Sequence, residues 1–139
     1  MIQRIQSLWL LAASIAAFAT LKLSFYSGNK LDATGLKQFS SLVATTNIFL
    51  MILTVAVAVA ALVAIFLYKD RKRQLLITLA TAVASVICIL LDFSETKKFV
   101  EGKIDLTSVV SFVIPVLLLL AVKGIWKDEK LIKSVDRLR

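Results

Sequence analysis

Residues 41–93 read SLVATTNIFLMILTVAVAVAALVAIFLY (41–68), KDRKR (69–73), Q (74) and LLITLATAVASVICILLDF (75–93), two long apolar runs around one short charged segment. A transmembrane helix needs about 20 predominantly apolar residues, each of which adds about 1.5 Å of length. Both runs are long enough. Because so short a segment joins them, the two runs are predicted to form an antiparallel pair of transmembrane helices.

Two further apolar runs, at residues 7–25 and 107–126, flank this pair. Hydrophobic residues make up 59% of the chain, whereas soluble domains contain about 45–50%. The sequence therefore predicts an all-α integral membrane protein, a four-transmembrane-helix bundle over residues 1–126 followed by a basic tail over 127–139. The run at 41–68 is longer than one span requires, so the helix is expected to tilt or to extend past the hydrocarbon on the outer side.

The first run has a second interpretation, because Ala17-Phe18-Ala19 resembles the cleavage site of a secretory signal peptide. The run is nevertheless long enough to cross a membrane. A retained first helix is therefore the favoured interpretation.

The cationic side chains predict the orientation of the bundle. If all four runs span, one side of the membrane holds eleven of the 17 cations: Arg4, Lys69, Arg71, Lys72, Arg73, Lys123, Lys127, Lys130, Lys133, Arg137 and Arg139. Lys and Arg in short loops accumulate on the cytoplasmic side. Both termini and the basic loop are therefore predicted to be cytoplasmic.

The two loops on the opposite side cover residues 26–40 and 94–106. In the second loop, apolar and polar residues partly alternate around Glu101-Gly102. Alternation around a turn-forming glycine is typical of a β-hairpin. A small outer β-hairpin is therefore predicted at this point.

Polar residues form one stripe along the third run, at intervals of four and three residues that place them on one helical face. They are Gln74, Thr78, Thr81, Ser85, Cys88 and Asp92. One interpretation is a hydrophilic pathway through the bundle. The favoured one is close helix contact through small residues, with hydroxyls bonded to their own helix. Ala58 and Ala61 of the second run would then face this stripe.

The tail after Trp126 predicts a short amphipathic helix. Its apolar residues lie close to one helical face among cations, and they are Leu131, Ile132, Val135 and Leu138. We expect the chain to turn near Gly124 and the helix to lie on the inner leaflet or to dock on a partner. Asp136 is expected to pair with Arg4, Arg71 or Arg73.

Composition excludes most kinds of catalytic site. The chain has no histidine and a single cysteine, Cys88. It has no Gly-rich phosphate loop, no metal-ligand cluster and no nucleophile paired with a base. No catalytic, cofactor or metal site is predicted, and the protein is not expected to be an enzyme. The net charge of +8 is expected to attract anionic lipid of the inner leaflet, not nucleic acid.

The two ends of the chain carry recognisable motifs. The opening MIQRIQS (1–7) and the closing KDEKLIKSVDRLR (127–139) resemble a bacterial family of small four-span membrane proteins, domain-of-unknown-function family 4293. The resemblance implies a bacterial cytoplasmic (inner) membrane location and supplies no catalytic residues. The polar residues of the cytoplasmic side form a candidate interaction surface: Gln3, Arg4, Gln6, Arg71, Arg73, Asp136 and Arg137.

Two functions remain open at this point. The first is a non-catalytic accessory or scaffold module whose basic cytoplasmic face engages an unidentified protein partner or a second copy of the chain. The second is a small transporter or channel that works as an oligomer. It is motivated by the polar stripe and by Pro115, which would kink the fourth helix. Four short helices leave little room for a lumen, so the first function is favoured.

Overall fold

The computed structural model describes residues 3–138, apart from the side chains of Gln3 and Arg4. Its helices and strands follow in the order α1 (Gln3–Thr20), β1 (Ser24–Leu31), β2 (Lys37–Val43), α2 (Ile48–Phe66), α3 (Arg71–Thr96), β3 (Glu101–Ile104) and α4 (Ser108–Asp136). Short 3-10 turns at Ala44–Thr46 and Leu67–Lys69 precede and follow α2. The fold is thus mostly helical, with a small sheet.

The helices alternate in direction and pack side by side. α1 contacts α2 and α4, and α3 contacts the same two helices. The interior is filled by residues such as Leu10, Ala61 and Leu118, which are at most 1% exposed. Small alanine side chains let the helix backbones approach closely. One end of the bundle carries the sheet, and the other carries the α2–α3 connection. These ends are called the sheet end and the basic end below.

Large apolar side chains cover the outside of the bundle. Ile15, Ile52 and Leu119 are each more than half exposed. Three segments are long and apolar enough to cross a membrane: Ile48–Lys69, Arg71–Thr96 and Ser108–Asp136. Ile5–Thr20 is a shorter apolar helix. An apolar exterior on helices of this length indicates a membrane protein.

The second apolar run does not form one helix over its whole length, so the prediction of a helical span that begins at Ser41 was wrong. Residues 41–43 end strand β2, and α2 begins only at Ile48. The Asn47 side chain accepts a hydrogen bond from the Phe49 amide at 3.0 Å and so caps the helix. Hydropathy alone does not separate the apolar end of a strand from the helix that follows.

The sheet has the order β2-β1-β3, and both pairings are antiparallel. β-structure at this end was predicted, but the position of the hairpin was wrong. The turn lies between β1 and β2, where Gly35 has a φ of 76°. Gly102 instead pairs with Gly28 across the β1–β3 ladder. A Cβ atom on Gly28 would lie 2.1 Å from the Glu101 carbonyl oxygen, so the glycines serve close strand contact.

Helix α4 runs without interruption from Ser108 to Asp136. The expected turn near Gly124, and with it a separate tail helix, was therefore wrong. A Cβ atom on Gly124 would lie 2.9 Å from Cγ of Gln6 in α1. The glycine permits close approach of two helices here, and it does not end the helix.

Candidate functional site

Three polar side chains meet at the basic end, one from each of α1, α3 and α4. Gln6 Nε2 donates a hydrogen bond to Asp128 Oδ2 at 2.6 Å, and Arg71 Nη1 donates to the same oxygen at 3.0 Å. Gln6 is 3% and Asp128 6% exposed. A buried carboxylate is retained at low cost only when it is paired and hydrogen-bonded, as Asp128 is. These three residues are called the clamp below.

Gln6 and Asp128 of the clamp each lie at the basic end of a buried helical face, one on α1 and one on α4. In α1 the buried positions include Gln6, Leu10, Ala13, Ala17 and Thr20, and in α4 they include Ile114, Leu118, Ala121, Ile125 and Asp128. Both series advance by four and three residues, the spacing of one helical face. A polar residue at the last position of such a face must find a partner inside the bundle.

Sequence reasoning missed Asp128, although Gln6 and Arg71 were candidates. The signal was present, because Asp128 continues the buried four-and-three series that ends at Ile125. It was overlooked because the tail was treated as separate from the fourth helix. Of the candidate residues at this end, Gln6 and Arg71 are brought together by their shared bond partner, Asp128.

The remaining candidates of the basic end lie on its surface. Arg73 Nε pairs with Asp70 Oδ2 at 3.1 Å, and both side chains are at least half exposed. Asp136 and Arg137 are exposed. Arg71 and Arg73 each have another acid as partner, so the expected pairing of either with Asp136 was wrong. The side chains of Gln3 and Arg4, also candidates, lie outside the described residues.

A cleft of about 430 Å³ opens beside the clamp. Residues of α1, α2 and α3 line it, among them Ile65, Phe66, Tyr68, Arg71 and Gln74. Gln74 Nε2 donates to the Ala64 carbonyl at 2.9 Å, whereas the buried Oε1 of the same amide has no hydrogen-bond partner in the described structure. The cleft therefore offers a cation and an unused acceptor side by side.

The polar stripe of α3 lies inside the bundle. Thr78, Thr81, Ser85 and Asp92 are at most 7% exposed, and Cys88 is half-buried. Thr78 and Thr81 donate hydrogen bonds to the carbonyls of Gln74 and Ile77, one turn earlier, at 2.8 and 2.7 Å. Each hydroxyl proton is thus used within the helix. Such bonds let a hydroxyl lie at a helix contact without water.

On α2, Ala58 and Ala61 are fully buried. The Ala58 carbonyl accepts a hydrogen bond from Ser14 Oγ of α1 at 3.0 Å, so this part of α2 also approaches α1. Ala56, Val57 and Ala60 line a groove together with Ile77 and Thr81 of α3. Small residues of α2 thus lie against α3 at Ala56, Val57 and Ala60, whereas the orientation of Ala58 and Ala61 toward α3 stays a prediction.

No group of three or more His, Cys, Asp or Glu side chains is gathered within residues 3–138 in a way that would hold a metal ion. A family model described as a domain of unknown function, DUF4293, matches residues 2–138. Neither a curated protein nor a solved structure matches the chain. The match covers nearly the whole sequence, and the protein belongs to the DUF4293 family.

Proposed function

We propose that this protein is a non-catalytic accessory or scaffold module of the bacterial cytoplasmic membrane, which engages a protein partner through its basic end. In this proposal all four helices span and the basic end is cytoplasmic. α1 has 18 residues, which gives a length of about 27 Å against a hydrocarbon core of about 30 Å. Small local thinning of the bilayer accommodates such a difference.

The projecting end of α4 carries the proposal. Beyond Asp128 the helix continues for eight residues to Asp136, or about 12 Å. Its apolar side chains remain open, with Leu131 47%, Ile132 48% and Val135 64% exposed. The clamp fixes the base of this segment to α1 and α3. An ordered helix with an apolar edge and cationic flanks suits a partner helix of acidic, partly apolar surface.

Anionic lipid is the second proposed ligand of the basic end. Lys69, Lys72 and Arg73 are exposed around the cleft that Arg71 and Gln74 line. Cations at an anionic membrane surface contribute about 1 kcal/mol each. A lipid headgroup with hydroxyls would place phosphate near the guanidinium and a hydroxyl donor on Gln74 Oε1. Lipid contact would hold the basic end at the membrane surface, where the partner meets it.

Site-specific photocrosslinking in native membranes tests the proposal. A photoreactive amino acid at position 135 should give one reproducible adduct with a second protein. The matched control carries the probe at Leu36, which is 70% exposed but lies at the sheet end. If position 135 gives no reproducible adduct and the purified chain is monomeric, the proposal fails. An adduct of twice the chain mass would identify the partner as a second copy.

The alternative, a small transporter or channel acting as an oligomer, has less support. The hydroxyls of Thr78 and Thr81 bond to their own helix. Side chains at most 1% exposed, including Leu10, Ala61 and Leu118, fill the space between the helices at this level. A pathway through one chain would require these contacts to open. The absence of a catalytic constellation in the sequence likewise favours a module without enzymatic activity.

A further inference from the structure

A small cavity lies inside the bundle at the sheet end, away from the clamp. All four helices contribute to its walls. Its polar lining consists of Thr20 from α1, Thr54 from α2, Ser85, Cys88 and Asp92 from α3, and Ser111 from α4. The space open to the centre of a water-sized sphere is about 30 Å³. A single water needs roughly 10–15 Å³ by this measure, so the cavity has room for one or two small ligands.

Asp92 brings a carboxyl group into this cavity without a protein partner. The residue is 7% exposed. No hydrogen bond or ion pair joins it to any residue in the described part of the chain. The other acids of the sheet end have partners, since Glu95 bonds to Lys98 and Asn47 and Asp105 accepts from Ser24 and Ser27. Asp92 is therefore the acid that still requires a counterpart.

Three of the four hydroxyls that line the cavity do not provide that counterpart, because their protons are already used. Thr20 donates to the Ala17 carbonyl at 2.7 Å, Thr54 to Leu50 at 2.8 Å and Ser85 to Ala82 at 2.7 Å. These three side chains can therefore offer only oxygen lone pairs to a molecule or ion in the cavity. The cavity thus combines one carboxylate with three hydroxyl oxygens that can only accept, and this set of oxygen ligands suits a cation.

We propose that this cavity binds one Na⁺ ion, with Asp92 as the charged ligand and hydroxyl oxygens of Thr20, Thr54 and Ser85 as neutral ligands. One carboxylate balances a single positive charge, whereas a divalent ion would remain half neutralised in an apolar surrounding. Hard cations prefer oxygen ligands of this kind. Since all four helices line the cavity, a bound ion would hold their sheet ends together.

This inference is independent of the proposed function, because the cavity and the clamp lie at opposite ends of the helices. A ligand that binds the folded chain raises its thermal midpoint in proportion to the logarithm of ligand concentration. The purified full-length chain in detergent would be heated in NaCl, KCl or choline chloride at equal ionic strength. Trp9 and Trp126 provide the fluorescence signal. We expect NaCl to raise the midpoint by several degrees more than either other salt.

Two variants test whether the difference between the salts arises from binding in the cavity. Asp92→Asn should abolish the difference between the salts, because it removes the charged ligand and keeps the shape. Asp105→Asn, at the same end but outside the cavity lining, should keep it. If Asp92→Asn does not fold, Thr54→Val takes its place and should raise the Na⁺ concentration for half the effect by about tenfold, the equivalent of one lost ligand bond. Equal midpoints in all three salts, or a sodium response that survives Asp92→Asn, would overturn the proposal.

Discussion

Arg71 and Asp128 lie 57 positions apart in the sequence, and Nη1 of the first donates to Oδ2 of the second at 3.0 Å. The same oxygen accepts from Gln6 at 2.6 Å. One carboxylate oxygen therefore joins the first residues of α1 and α3 to the point where α4 leaves the bundle. The effect of this contact on stability and on the projecting part of α4 can be measured.

Replacing Asp128 with Ala should destabilise the protein strongly. The change leaves the Arg71 guanidinium without its acceptor, and the Arg71 and Asp128 side chains are only 13% and 8% exposed. Breaking a buried pair from one side costs about 3–5 kcal/mol. The free energy of unfolding, from denaturant titration in mixed micelles, gives the loss. Asp136→Ala removes an exposed acid and should change it by less than about 0.5 kcal/mol; equal losses in both variants would argue against the clamp.

Replacing Gly124 with Leu should separate α1 from α4. The new side chain would begin 2.9 Å from Cγ of Gln6, so Gln6 must leave Asp128 or the helices must part. Overpacking of this kind costs about 1–3 kcal/mol. Lys123→Leu introduces the same side chain at an exposed neighbouring position and should be nearly neutral in the same titration. A stable Gly124→Leu variant would show that the helices do not approach closely here.

Replacing Gly28 with Val should detach strand β3. The Cβ atom would meet the Glu101 carbonyl oxygen at 2.1 Å, and a backbone atom in a ladder cannot move aside as a flexible side chain can. Trypsin should then cut faster after Lys97 and Lys98, which precede β3 and are exposed. Asn29→Val changes the adjacent position of the same strand and provides the control. Identical cleavage rates would place β3 away from β1.

The sequence predicts which face of each helix is buried, but it does not predict which residues of other helices that face contacts. The stripe from Thr78 to Asp92 was recognised because four-and-three spacing is a local property of one helix. The clamp was recognised only in part, because the meeting of Gln6, Arg71 and Asp128 depends on three helices being in register. Register depends on contacts such as Gly124 against Gln6, which no single run of residues specifies.

The same reasoning explains the two errors at glycines. Gly102 was assigned to a turn and Gly124 to a bend, since glycine often serves both roles. In the structure each glycine lies where another segment passes close to the backbone. From the sequence alone, a glycine needed for its backbone conformation cannot be distinguished from a glycine needed because it lacks a side chain. Polar alternation also placed the hairpin at Glu101-Gly102, whereas its turn lies at Gly35.

The proposed orientation of the bundle rests on the distribution of cations in the sequence and underlies the proposed function. It can be measured with single cysteines in a Cys88→Ala background and a thiol reagent that does not cross the membrane. Cysteine would replace Leu36 at the sheet end, Lys72 at the α2–α3 connection, or Ser134 in α4, all exposed positions.

Labelling in spheroplasts, before and after the membrane is opened, is the most direct test of the central claim that the basic end is cytoplasmic and all four helices span. The account predicts that Leu36→Cys reacts in intact spheroplasts and that Lys72→Cys and Ser134→Cys react only after opening. Reaction of Ser134→Cys in intact spheroplasts would place the end of α4 outside and contradict the account.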